Sequence, residues 1–410
     1  MNSKKSRMHY AWKILISCCL INMSALGVTN TNGLYYNAVS SDLGILMSEL
    51  LIHTVFQGVT SALTLLIVDK VYKKYPLKTV LLVSSLLFNV PQMLMAAFSH
   101  VWQFCIAAVV CGIGAAFLFY VPVPMLLNNW FVKKKKTALS VCFVAAGLSG
   151  IILSLAMGRV INSFGWRTAY IARGAFSLVL IIPVMIFAVK KPEELGLTAY
   201  GSEEDPGDTQ KHMGVSAERQ SFEEKRKKFV AAVAIAILCN LTCGMTGMLP
   251  HFAGTLGYGI LFGSYLTSLA MVGNIGSKAL MGPMTEKYGI VVTGSVCAAV
   301  LAFGFLLLGL GITAIPVILF SSVTTGLSAC VNTLIIPNLA DTFVKGDEYV
   351  HVLSICSTGT MIASSLSCLL VSLLVDNLGY GMSFLIYSTF GILIAVLLTV
   401  VYKQRKAVLK

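Results

Sequence analysis

Residues 102–136 read WQFCIAAVVCGIGAAFLFYVPVPMLLNNWFVKKKK. No charge interrupts the stretch from Trp102 to Val132, and four lysines, Lys133 to Lys136, then follow. A run of about 20 apolar residues crosses the roughly 30 Å hydrocarbon core of a bilayer as helix. Lipid offers the backbone no hydrogen-bond partner, so such a run must satisfy its own amides as a helix. A barrel strand would need short segments that alternate apolar and polar, and no such pattern is present.

The same alternation of long apolar runs and short basic stretches fills the 410-residue chain. Apolar residues make up 57% of it and charged residues only 11%. A soluble domain carries roughly 25% charged residues, so most of this surface does not face water. Twelve crossings are expected, over residues 11–36, 50–70, 77–97, 102–127, 137–160, 168–189, 229–253, 261–282, 290–311, 315–339, 350–375 and 381–402. The first run, from Trp12, is too long for a signal-peptide core and lacks a small-residue cleavage site, so it reads as the first crossing. The 11 cysteines show no metal-ligand spacing and read as small buried hydrophobes. No cofactor or metal is expected.

The net charge of +13 does not mark a nucleic-acid binder, because of where the basic residues sit. Of the 30 Lys and Arg, 26 fall in the N-terminal tail, in alternate loops, in residues 190–228 and at the C-terminus. This is the positive-inside pattern. It places both termini and residues 190–228 in the cytoplasm, with the chain multi-pass in the cell inner (plasma) membrane. Arg159, Arg167, Arg173 and Lys278 are the exceptions. Residues 190–228, rich in Glu, Asp, Lys and Gly, read as a cytoplasmic linker between a bundle at 1–189 and a second at 229–410. Lys225–Lys228 could touch anionic headgroups of the bilayer.

The halves resemble each other in register. Leu43-Gly44 recurs as Leu256-Gly257, Asp69-Lys70 as Glu286-Lys287, Phe131-Val132-Lys133 as Phe343-Val344-Lys345, and Gly165 as Gly379, at offsets of 212 to 217 residues. Duplicated halves suit alternating access, in which two bundles rock about a site at their interface.

With these residues in view, the chain resembles the major facilitator superfamily. Gly282-Pro-Met-Thr-Glu-Lys-Tyr-Gly289 is similar to that superfamily's loop signature, and Asp69-Lys70 with Lys73-Lys74 is its degraded first-half copy. The resemblance implies an all-α polytopic membrane protein with twelve transmembrane helices in two pseudo-symmetric six-helix bundles. An acid at a helix end beside a basic loop can latch one bundle to the other. Asp69, Lys70, Gly282, Glu286, Lys287 and Gly289 are the candidate gating residues, and a solvated loop is the plainer reading. Asn129-Trp130-Phe131, Gly165-Trp166-Arg167, Lys191-Pro-Glu-Glu-Leu-Gly-Leu197 and Tyr200-Gly201 resemble one branch, the oxalate/formate antiporter and monocarboxylate transporter-like group.

None of the 17 acidic residues falls in a helix centre. That weighs against a carboxylate-driven sugar symporter and against efflux of cationic drugs. Lys278 does lie within an apolar run, four residues after Asn274 and on the same helix face. A buried ammonium costs roughly 2.5–3.5 kcal/mol on insertion scales, and an anionic substrate would offset it. The resemblance points the same way: the oxalate/formate group carries an Arg four residues before the signature Gly, where Lys278 stands. That group's second base, in the eleventh helix, is missing from Ser354–Gly359, and a single cation suits a monocarboxylate. The competing reading has Lys278 snorkelling to the interface. Arg173, in the peripheral sixth helix, is expected to snorkel outward.

In the superfamily, helices one, four, seven and ten line the cavity. Asn32, Tyr35, Tyr36, Tyr120 and Asn332 join Lys278 and Asn274 as candidate substrate contacts, although interhelical hydrogen bonds would also explain such polar residues. His53 and His251 are candidate proton-sensing groups, with Glu49–His53 as a surface pair the plainer reading of the former. The expected function is secondary transport of a small organic anion by antiport or proton symport, with the chain acting as a monomer. The rivals are a transporter of neutral or amphipathic compounds and a non-transporting sensor of the same fold. An enzyme is disfavoured: no phosphate cradle, metal-spaced His/Cys set or pair of facing intramembrane acids is present.

Overall fold

The structure is a computed structural model and describes residues 9–119, 121–132, 134–201, 222–330 and 347–408. Among the described residues every long element is a helix. The first half contains α1 (Tyr10–Asn22), α2 (Gly33–Leu43), α3 (Met47–Lys74), α4 (Leu77–Leu94), α5 (Val101–Phe119), α6 (Pro122–Trp130) and α7 (Lys135–Phe187). The second contains α8 (Phe222–Thr255), α9 (Ile260–Tyr288), α10 (Ile290–Gly309), α11 (Ile315–Thr325), α12 (Leu327–Cys330) and α13 (Asp347–Val408).

Nine helical stretches among the described residues are long and apolar enough to cross a membrane. Two of them, in α7 and α13, are double. Gly165 (φ 80°, ψ 167°) and Gly379 (φ 73°, ψ 172°) break the helical path and divide each into two crossings. The short α11 opens the crossing expected over 315–339, of which residues 331–339 lie outside the described residues. The outer surface is apolar: Leu66 is 77% exposed, Phe164 72% and Leu280 65%. In water such a surface would be an aggregation hazard; in lipid it is the expected solvent face.

The first crossing is not a plain helix. After α1 comes a π-helical turn, Met23–Gly27, before α2 resumes the path. A π turn leaves carbonyls without their usual partner, and lipid cannot supply one. Two serines of α7 do. Ser149 Oγ donates to the Met23 carbonyl at 3.3 Å, and Ser177 Oγ to that of Ser24 at 2.8 Å. Gly27 lets Ser149 approach, since a Cβ there would lie 2.5 Å from its hydroxyl.

Two of the in-register matches between the halves share a backbone conformation. Gly165 and Gly379 are one such pair. Gly44 (φ 65°) and Gly257 (φ 82°) are the other, both just past a helix end in a region that favours glycine. The helices extend further than expected at the basic ends. α3 runs to Lys74, past the expected end at residue 70, so Asp69 and Lys70 lie in its last turns and Lys73 and Lys74 are helical rather than in a loop. Likewise α8 begins at Phe222, inside the stretch expected as linker, where the sequence reads as partly helical near Glu223–Lys228. A charged turn carries little apolar signal of its own, yet it continues a helix already nucleated.

Most of the branch-like motifs meet in one place, at the end of the first half that carries the chain's N-terminus. Asn129 Nδ2 donates to the Lys190 carbonyl at 2.9 Å and Trp130 Nε1 to that of Val189 at 2.8 Å. Tyr200 pairs its backbone with Trp130 and Val132. Its ring lies 5.5–5.8 Å from those of His9, Trp12 and Phe131. The segment leaving the sixth crossing is thereby tied down on α1 and α6. At the opposite end, Asp42 Oδ2 accepts from Arg167 Nη1 at 2.6 Å and from Trp166 Nε1 at 3.1 Å. The Arg167 guanidinium, then the Trp166 indole, hold the Asp42 carboxyl below the ordinary aspartate range.

Two stability predictions follow from these backbone and charge positions. Gly165→Ala and Gly379→Ala should each cost about 1–3 kcal/mol, because an L side chain is strained there. The purified variants should melt lower than wild type, while Gly276→Ala, which meets open space in ordinary helix, should not. The Asp42 contribution is present above the unfolded-state pKa and is lost as pH falls through the lower folded value. Asp42→Asn should therefore lower the melting temperature at pH 7 and flatten its decline below the usual carboxylate range; an unchanged acid profile would refute this.

Candidate functional site

A chamber of about 360 Å³ lies between the halves. The first crossing contributes Thr29, Asn30, Asn32 and Tyr36, and α3 contributes Gln57, Gly58 and Ser61. The second half contributes Gly244 and Thr246 from α8, Thr267 and Asn274 from α9, Thr325 and Ser328 beside α12, and Ser364, Ser365 and Ser367 from α13. The polar groups are hydroxyls and amides, and none of the lining residues among those described is Asp, Glu, Lys, Arg or His. Two polar atoms in this wall, Thr246 Oγ1 and Asn274 Oδ1, are buried with no hydrogen-bond partner among the described residues. Buried polar atoms are normally paired, so these two retain capacity to bond a molecule or water in the chamber.

The halves are joined by small residues. Gly33 sits against the Gly247 carbonyl, Gly58 against Ser365, Gly147 against Ile275 and Gly158 against Ser264. Ser268 Oγ reaches the Ile151 carbonyl at 3.4 Å. Without side chains at these positions, backbones of opposite halves can touch, as small residues allow between helices in lipid. The Gly33, Gly158 and Gly254 contacts lie toward the end away from the termini. There Tyr36, Met47 and Leu51 also enter an apolar cluster with Met248, Phe252 and Phe384 of the second half.

The expected contacts separate into groups. Asn32, Tyr36 and Asn274 line the chamber. Tyr35 does not: it is fully buried inside the first half, donating its hydroxyl to the Ala169 carbonyl at 3.2 Å. Tyr35 and Tyr36 are neighbours on a helix, about 100° apart, so one faces the chamber and the other the bundle core. Lys278 stands one turn past Asn274 toward the terminal end of α9, partly buried, with its ammonium 5.2 Å from the Phe143 ring centroid of the other half. Tyr120 and Asn332 lie outside the described residues.

Of the gating set, Lys70 and Lys287 are exposed, with Lys287 over the Tyr288 ring at 5.1 Å. Gly289 has φ 83° and separates α9 from α10. The side chains of Asp69 and Glu286 fall outside the description, as does the environment of Gly282. His53 is not half of a surface pair with Glu49. Glu49 is exposed and accepts from the Leu46 amide at 3.2 Å, capping α3. His53 turns inward, between the rings of Tyr36 and Phe104, with Nδ1 donating to the Leu50 carbonyl at 2.5 Å. His251 Nδ1 is hydrogen-bonded to the Tyr380 hydroxyl.

Arg173 departs most from expectation. It does not snorkel; it is 2% exposed inside the first half. Nη1 donates to Asn32 Oδ1 at 2.6 Å and Nη2 to Gln92 Oε1 at 2.6 Å. The guanidinium also lies 4.4 Å from the Tyr35 ring centroid and 5.0 Å from that of Tyr170. Sequence reasoning saw one cation near an outer interface. It could not see that amides and a ring from the first crossing and α4 converge on it. It also missed the wall contributed by α3 and α13, although Gln57 and Ser61, one turn apart in an apolar run, and the Ser364-Ser365 pair with Ser367 were legible signals.

The family profile described as Major Facilitator Superfamily matches residues 17–279 and 246–410. Among curated relatives, "Probable transporter MCH2" of Saccharomyces cerevisiae is 24% identical over 72% of this chain, which spans 60% of that protein's length. "MFS-type transporter pynF" of Aspergillus niger is 23% identical, covering 88% of this chain and 82% of its own. Among solved structures, nucleoside transporter NupG superposes with a TM-score of 0.71 at 12% identity, over 97% of this chain and 100% of its own. The D-xylose-proton symporter superposes with a TM-score of 0.70 at 15% identity, over 95% and 97%.

A methyl group at Gly33 would press on the Gly247 carbonyl, backbone that cannot rotate away. Gly33→Ala should therefore part the halves at the end away from the termini. Cys368, a native chamber residue, reports this: an impermeant maleimide applied from that side should label it several-fold faster in Gly33→Ala than in wild type. Equal labelling rates would mean the glycine contact does not hold the halves together.

Proposed function

The chain belongs to the major facilitator superfamily, a superfamily of membrane transporters, and on that premise we propose that it moves a small organic anion, a monocarboxylate, by alternating access. The observation that supports this most is the placement of Lys278. It stands one turn from the chamber residue Asn274, on the same face of α9. Among the described residues the chamber wall itself carries no Asp or Glu. Neutral walls with a cation at the rim give a positive interior, which draws in and retains negative charge.

The walls suit such a guest. Hydroxyl and amide groups can donate to a carboxylate's two oxygens, and lysine serves as a point charge without demanding bidentate geometry. With the termini in the cytoplasm, the close packing between halves lies on the outer side. Transport then requires Gly33 and Gly247 to separate as the other end closes. Lys278, already across from Phe143 of the first half, would lie on the path of that closure.

A second reading has its own supporting observation. Among the described residues no charged side chain is itself part of the wall, so a neutral hydroxylated solute would meet matching groups there.

Ligand-induced thermal stabilisation separates the two. A ligand at about 100 times its Kd adds roughly 2.7 kcal/mol to the stability of the folded state. Short monocarboxylates should raise the melting temperature of the wild type and lose most of that effect in Lys278→Gln. Stabilisation by a neutral solute alone, equal in both proteins, would transfer the assignment to the second reading.

A further inference from the structure

The buried guanidinium of Arg173 is the largest electrostatic feature that the chamber reading leaves unused. Its hydrogen-bond partners are all neutral: Asn32, Gln92 and, at 3.5 Å, the Thr31 hydroxyl. Among the described residues no carboxylate pairs with it, and Nε has no hydrogen-bond partner. A neutral amide could fill a purely structural role here without the desolvation of a full charge. The charge has a use if something negative comes near.

Asn32 makes the connection. Its side chain belongs both to the Arg173 cluster and to the chamber wall. An amide has one acceptor end and one donor end. Arg173 occupies the acceptor, Oδ1, and so fixes the amide with its NH2 group free to face elsewhere. Tyr36, another wall residue, stands one helical turn past Asn32 on the same face. Gln92 holds the guanidinium from behind: Oε1 accepts from Arg173 while Nε2 donates to the Phe88 carbonyl at 3.1 Å.

We propose that Arg173 is a positioning residue for the transported anion, acting through Asn32 to keep the first half's wall of the chamber donor-rich and positive. The inference rests on the anion reading above. It gives each rocking half one cation, Arg173 in the first and Lys278 in the second, so an anion is held from both sides while the halves move. Only Lys278 would approach the ligand directly; Arg173 works at one remove, through an amide it orients and polarises.

The test compares a charged ligand with its neutral isostere. Binding of short monocarboxylates, acetate to hexanoate, and of the matching primary amides is measured on purified wild type, Arg173→Gln, Arg173→Lys and Gln92→Glu. Gln92 is outside the chamber lining, and a glutamate there would neutralise the guanidinium in place. Arg173→Gln and Gln92→Glu should each weaken carboxylate binding about tenfold, change amide binding by less than about twofold, and leave Arg173→Lys with most of the carboxylate preference. Should Arg173→Gln fail to fold, Gln92→Glu decides alone. An unchanged carboxylate-to-amide ratio in these variants, with Lys278→Gln still lowering it, overturns the role of Arg173 and leaves the anion reading standing. Equal weakening of both ligands overturns it too, as the mark of a structural role. A wild type that does not prefer the carboxylate removes both readings.

Discussion

Everything in this molecule follows from one constraint: a backbone in lipid must find its hydrogen bonds within the protein. Long uninterrupted helices are the simple solution, and most crossings take it. Where the chain departs from helix, protein groups make up the difference. The π turn at Met23–Gly27 has its carbonyls met by Ser149 and Ser177 of α7. The break before α6 places Pro122 at the first helical position, where a missing amide hydrogen costs nothing. Irregular backbone is thus placed where neighbouring helices can serve it, close to the chamber and away from the lipid face.

The same economy shapes the interface between halves. Hydrophobic burial does not drive helices together in lipid, since the tails are as apolar as leucine. Close packing must do it, and close packing needs small residues. Gly33, Gly58, Gly147 and Gly158 bring the halves into near-backbone contact. Such contacts are strong only at short range, so parting them by a small distance removes most of the attraction. A joint of this kind can close firmly and still open, which suits a carrier better than an interlocked apolar core would.

Charge is handled with equal restraint. Among the described residues Asp42 pairs with Arg167 at the margin, while the Arg173 guanidinium in the interior is surrounded by amides, a hydroxyl and aromatic rings. A carboxylate beside Arg173 would neutralise it permanently. Neutral partners stabilise the guanidinium while leaving its field uncancelled. Asn32 links the buried cation to the chamber wall, and its amide cannot face both ways at once.

Much of this was legible in the order of residues. Membrane residence, the helical class and the repeat follow from run length, charge placement and in-register pairs such as Gly165 and Gly379, because hydropathy and glycine's backbone freedom are local properties. The candidate site was only partly legible. Asn32, Tyr36 and Asn274 were found from polarity within apolar runs. Tyr35, equally polar and adjacent, turned into the bundle core, and Arg173, read as an interfacial snorkel, became the most deeply held charge described. Which way a polar side chain faces depends on what packs against its helix: Ala169 and Tyr170 for Tyr35, Gln92 and Asn32 for Arg173. Those partners are up to 141 residues distant in sequence. The sequence by itself determined the solvent, the helices and the duplication; the tertiary structure decided which polar groups share a cavity and which satisfy one another, because hydrogen bonds in lipid are made between crossings that sequence order does not bring together.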